Sequence, residues 1–160
     1  MTEPRYKRPE SVLVVVYTRA GKVLMLRRAD HPEFWQSITG SMEWQDAAPL
    51  AAAVRELREE TGIEVSPQAL RDWRITRQFE IFPQWRHRYA PGVRYNTEHC
   101  FSLELPDESD INVSPTEHSE YAWVTFAEAV ERVFSWTNRD ALRALMAERE
   151  VESGRDGAGG

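Results

Sequence analysis

Three glutamates, Glu56, Glu59 and Glu60, crowd the end of a segment that reads as a helix over 49–61, with Gly62 as its stop. That is a poor place for carboxylates. A helix C-terminus carries partial negative charge, and Glu56 and Glu60 at i, i+4 spacing repel each other, each effect costing roughly a few tenths of a kcal/mol. A bound cation reverses both penalties. Leu50, Ala53, Val54, Leu57 and Thr61 recur at helical spacing as the stripe that should face the core. The three glutamates then fall together on the flank beside it. Pro49 suits the first turn and Gly62 the C-terminal stop. For a glutamate-rich helix taken alone, an ordinary solvated face with an Arg55–Glu59 ion pair is the better reading, and only the surrounding pattern overturns it.

Several elements must position this helix. The spacing predicts strands over 11–17 and 22–27, joined by a turn at Arg19-Ala20-Gly21, and a short strand over 36–39 that leads into the loop before the helix. Further strands are expected over 71–82, 96–105 and 121–124, with Pro83, Pro91 and Gly92 breaking the middle of the chain into loops. Helix follows over 127–149, interrupted at Ser135-Trp136-Thr137-Asn138, where a new N-cap is expected. The fold class is α+β, an α/β/α sandwich with a mixed β-sheet flanked by helices. One domain over 1–152 is expected, with 153–160 as a flexible tail.

Composition narrows the setting. A chain of 160 residues, 41% of them hydrophobic, can bury one core of ordinary size. Its single cysteine, Cys100, excludes an internal disulfide and any cysteine-cluster metal site, so a cytoplasmic location fits best. The longest apolar run, six residues from Val12 to Tyr17, is too short for a membrane span. A net charge of −6 argues against polymeric nucleic acid, which needs a broad basic surface. A small anionic substrate needs only a local basic pocket and a metal.

The stretch from Gly40 to Ile63 resembles the signature of the Nudix hydrolases, G-x5-E-x7-R-E-U-x-E-E-x-G-U with U a bulky apolar residue. Arg55, Glu56, Leu57, Glu59, Glu60, Gly62 and Ile63 match position for position. The first half departs from it: Asp46 stands for the early glutamate, and eight residues rather than seven separate it from Arg55. One extra residue within a helix would rotate it by about 100°, so the insertion belongs in the loop or the first turn. Blocks outside the signature, among them Phe34-Trp35-Gln36-Ser37-Ile38-Thr39, Phe79-Glu80-Ile81-Phe82, Thr116-Glu117-His118 and Ser135-Trp136-Thr137-Asn138-Arg139, resemble the branch of that family acting on dihydroneopterin triphosphate.

The resemblance implies a pyrophosphohydrolase that releases pyrophosphate from that small-molecule triphosphate. It implies Glu56, Glu60 and Glu117 as ligands of Mg²⁺, with Mn²⁺ as an alternative, and it makes Arg55, Glu56, Glu59 and Glu60 the catalytic set. Glu59 is either the base for water or a further metal ligand, and Arg55 orients a neighbouring carboxylate through its planar fork. Lys7 and Arg28 would grip the triphosphate. Trp35, Thr39, Phe79, Glu80, Ile81, Phe82 and Ser135 would form the ring pocket. His31, His87, His99 and His118 show no metal-ligand spacing and read as polar or structural. A nucleotide-pool hydrolase and a binding domain with reduced catalysis are the alternatives, and intact Arg55, Glu56, Glu59 and Glu60 count against the second.

Overall fold

The unbroken apolar run of the first strand is explained by burial on both faces. In the computed structural model, which describes the backbone of residues 6–158, strand β1 (Glu10–Thr18) lies in the middle of a mixed sheet. Val12, Val14 and Val16 point into one core, and Leu13 and Val15 into another. Alternation along a strand sends neighbours to opposite faces, so a strand covered on both sides is apolar throughout.

The other strands are β2 (Lys22–Arg28), β3 (Trp35–Gln36), β4 (Ile38–Ser41), β5 (Arg71–Glu80), β6 (Tyr95–Leu105) and β7 (His118–Thr125). They are ordered β3-β2-β1-β6-β5, with β4 added to β1 and β7 to β2. β1 and β6 run parallel over their whole length, and the remaining pairs are antiparallel. Helix α1 (Pro49–Thr61) covers one face, with Ala52, Ala53 and Leu57 packed on Val12, Val14, Leu24 and Phe101. Helices α2 (Phe126–Arg132) and α3 (Trp136–Ala158) cover the other, where Ala129, Leu142 and Leu145 meet Leu13, Val15, Met25 and Cys100. This is the mixed sheet between helices that the sequence predicts.

Local signals set the helix ends. Ala48 is extended, Pro49 opens α1, and Gly62 closes it at φ 79° with its N–H donating to the Arg58 carbonyl at 2.8 Å. The interruption between α2 and α3 falls where expected, and the Ser135 hydroxyl accepts from the Asn138 N–H at 3.4 Å. α3 then runs past the boundary expected at 152 and takes in 153–158 as its last turns. Ala147, Glu148, Arg149, Glu150 and Glu152 are good helix formers and carry it across Ser153 and Gly154. Gly159 and Gly160 lie outside the described residues. Among the described residues, no helix is long and apolar enough to cross a membrane.

Candidate functional site

The face that α1 turns inward is Ala52, Ala53, Glu56, Leu57, Glu60 and Thr61, while Leu50 and Val54 of the expected stripe are only partly buried. Two of the three glutamates therefore sit under the helix, at 9% and 3% exposure for Glu56 and Glu60, and Glu59 remains in solvent. The flank shared by all three is not what forms. Gly40 on β4 is the reason Glu56 fits, since a Cβ built there would overlap the Glu56 carboxyl group. Burial, then the charges of Glu60 and Glu59, raise the Glu56 carboxyl to about 7.

Glu60 finds a neighbour that the sequence did not indicate. Its Oε2 lies 2.6 Å from His118 Nδ1, both side chains being 3% exposed. The contact lacks hydrogen-bond geometry, so each of these two buried atoms is left without a hydrogen-bond partner. Burial, reinforced by Glu117, drives Glu60 far above the usual carboxylate range, and burial lowers His118. Both shifts favour neutral forms. Glu60, Glu117 and His118 offer ligand atoms that all lie within 4.8 Å of one another. Hard carboxylate oxygens, an orphaned buried pair and the glycine cradle at Glu56 together fit a divalent cation. His118 shows no metal-ligand spacing in the sequence, and β7 is expected there only from 121. The strand starts three residues earlier, pairing His118 with Arg28, and that register delivers the imidazole to Glu60. Gln36 Nε2 stands 3.3 Å from the other ring nitrogen.

Asp46 is held by Arg55. The Arg55 NH1 donates to both carboxylate oxygens of Asp46 at 2.7 and 2.9 Å, and its NH2 donates to the Ser41 carbonyl at 3.3 Å. Although burial pushes the other way, the Arg55 hydrogen bonds keep Asp46 below its usual pKa. Asp46 also closes a turn by accepting from the Glu43 N–H at 2.7 Å. Residues 47 and 48 form a bend before Pro49, so the extra residue is absorbed ahead of α1. Arg55 further approaches Glu56 at 3.5 Å and Glu59 at 3.9 Å.

The remaining residues singled out by sequence lie away from the carboxylates of α1 or at their edge. Withdrawal from water lowers the Lys7 pKa, Arg88 and Arg28 reinforce this, and Glu56 and Glu117 oppose it, so Lys7 stands between a cationic rim and the carboxylates. Arg28 makes two hydrogen bonds of 2.8 Å to Asp30 and lies over the Trp85 ring at 5.1 Å. Phe82 is exposed and packs against Trp85, Glu80 pairs with Arg86 at 2.6 Å, and Ile81 is core. An open groove of about 510 Å³ beside them is lined by Tyr6, Arg86, Tyr89 and Arg94. None of Glu56, Glu60 and Glu117 borders it, so concavity and chemistry do not coincide here. Chemistry locates the site better. Thr39 is the register partner of Leu13, its hydroxyl accepts from Gln36 Nε2 at 3.4 Å, and the hydroxyls of Ser135 and Thr137 are 2.8 Å apart.

A model of the NUDIX domain matches residues 7–145. The dihydroneopterin triphosphate diphosphatase of Escherichia coli is 49% identical over 149 residues, covering 91% of this chain and 97% of the relative. The protein of that name from Haemophilus influenzae is 42% identical over 145 residues, covering 89% and 90%. Among solved structures, the E. coli dihydroneopterin triphosphate pyrophosphohydrolase superposes with a TM-score of 0.80 at 47% identity, covering 88% of this chain and 97% of that one.

Proposed function

Since the chain belongs to the NUDIX family, we propose that it hydrolyses dihydroneopterin triphosphate to dihydroneopterin monophosphate and pyrophosphate, a step of folate synthesis. The observation that carries this reading is the 49% identity to the E. coli relative, which extends over 149 residues and so takes in the pocket blocks as well as the carboxylate helix. Water adds across the anhydride between the α- and β-phosphates, one P–O bond forms, another breaks, and the leaving pyrophosphate takes the bridging oxygen.

Glu56, Glu60 and Glu117 would hold Mg²⁺, with His118 beside them. When bound, the cation neutralises phosphate charge and favours attack by water. Lys7, with Arg28 and Arg88 close by, binds the triphosphate at the entrance. Arg55 anchors the loop through Asp46 and so fixes where the neighbouring Glu56 carboxylate stands. Glu59, the exposed glutamate of α1, accepts the proton of the attacking water on a carboxylate oxygen. Trp35, Thr39, Phe79 and Ser135 would line the pocket of the pterin ring. We place the activity in the cytoplasm, in keeping with the single cysteine of the sequence.

The test is a substrate panel in Mg²⁺ with product identification. The expected result is the highest kcat/KM for dihydroneopterin triphosphate, with pyrophosphate and no free orthophosphate as the first product. Preference for a deoxynucleoside triphosphate would overturn the substrate assignment, and release of orthophosphate would overturn the bond assignment.

A further inference from the structure

On the sheet face covered by α2 and α3, β6 presents Asn96, Glu98 and Cys100 at alternate positions. Glu98 is 5% exposed and Asn96 2%. The Asn96 amide donates to Ser11 Oγ at 2.7 Å, and the Thr137 side chain is close enough to Glu98 to lower its carboxyl pKa against burial. Yet Glu98 Oε1 and Asn96 Oδ1 accept nothing from the protein, and the NH1 of Arg77, register partner of Glu98 on β5, is also buried without an acceptor. One orphaned buried atom is uncommon. Three on adjacent positions of one sheet face form a set: a donor from Arg77 beside acceptors from Glu98 and Asn96.

The set adjoins the residues assigned to the ring pocket. Phe79 is the register partner of Asn96, and the Ser135 hydroxyl lies 2.8 Å from that of Thr137, a neighbour of Glu98. A 2-amino-4-oxo pterin carries along one edge a carbonyl oxygen, a ring N–H and an exocyclic amino group, which is acceptor, donor, donor. That order complements donor, acceptor, acceptor. We propose that Glu98, with Asn96 and Arg77, reads the 2-amino-4-oxo edge of the pterin ring and is the residue that sets ring specificity. The inference rests on the reading of the chain as a hydrolase of dihydroneopterin triphosphate. Burial raises the Glu98 carboxyl to about 7 while Thr137 and Arg77 hold it down, so an ionised acceptor is available at neutral pH.

Glu98→Met removes both acceptor oxygens at similar volume, and Glu98→Gln keeps one. For Glu98→Met, the ratio of kcat/KM for dihydroneopterin triphosphate to that for dCTP, whose ring carries the opposite pattern, should fall roughly tenfold or more through KM, and Glu98→Gln should recover part of it. An unchanged ratio overturns the inference, as does an equal loss on both substrates, the mark of Glu98 and Arg77 serving only as an internal ion pair. Wild-type protein gives a readout that does not depend on the variants folding. A pterin should inhibit about tenfold more strongly than the matching 2,4-dioxo lumazine, and equal inhibition refutes edge reading. Wild-type preference for dCTP would instead overturn the substrate reading and this inference with it.

Discussion

Replacing Gly40 with alanine separates the fold from the chemistry. The backbone at Gly40 is not in the left-handed region, so alanine meets no conformational penalty there. What it meets is Glu56: the three nearest atoms to the added Cβ are the Cδ, Oε2 and Cγ of that side chain, all at overlapping distances. The obstacle is the end of a side chain, so Glu56 moves and β4 stays. Overpacking costs about 1–3 kcal/mol in general. The low end applies here, because the displaced carboxyl is one that burial raises to about 7 and that gains by leaving. At roughly 2–4 °C per kcal/mol for a chain of this size, Tm should fall by only a few degrees. Activity should suffer far more, since a shift of about 1 Å in a positioned group costs on the order of 10²-fold. The assay pairs pyrophosphate release in Mg²⁺ with a melting curve of the same sample. A folded Gly40→Ala protein with kcat/KM within about twofold of wild type would refute the argument that β4 seats Glu56 for catalysis.

Three further outcomes follow from the geometry. Asp46→Ala removes the anchor of Arg55 but no carboxylate of α1, so it should lower kcat less than Glu60→Gln; equal damage in steady-state kinetics would place Asp46 at the metal. Asn138→Ala breaks the buried link in which its Oδ1 accepts from the Ser37 N–H at 2.8 Å and its Nδ2 donates to Ser37 Oγ at 3.0 Å, and leaving that N–H unpaired should cost about 1–3 kcal/mol in denaturant unfolding. An unchanged midpoint would mean that the link is not maintained in solution. Metal-free protein should lose stability as pH rises: the Glu56 carboxyl is raised from 4.5 to about 7 on folding, so its contribution is complete below about 4.5 and gone above about 7, a span of about 3 kcal/mol by linkage. Saturating Mg²⁺ should therefore raise Tm more at pH 8 than at pH 5, and a pH-independent increment would contradict the buried-carboxylate account.

The carboxylate helix could be read in the sequence because its signals are local: Pro49 and Gly62 mark its ends and Glu56 and Glu60 declare themselves by being misplaced. The same holds for β1, whose apolar run is continuous, and for the break at Ser135. What stayed hidden depends on contacts between distant segments. All three glutamates are expected on a flank beside the core stripe; instead Glu56 and Glu60 go under the helix and only Glu59 stays out, because the close approach of β4 at Gly40 makes room for Glu56 where Leu50 and Val54 remain partly exposed. His118 looked structural because nothing near it in sequence says that β7 starts early enough to meet Glu60. Asn96 and Glu98 look like ordinary strand residues in the sequence, and only the register sets them opposite Phe79 and Arg77.

Strand β4 carries Thr39 and Gly40 as neighbours, and alternation sets the first opposite Leu13 and the second opposite Val12, where it meets Glu56 of α1. In the proposed function, ring binding and the seating of Glu56 thus fall to adjacent positions of one short strand. With Thr39 in the proposed ring pocket, a change there would retune what ring is accepted while Gly40 keeps Glu56 seated, so descendants of such a protein could explore new substrates one substitution at a time.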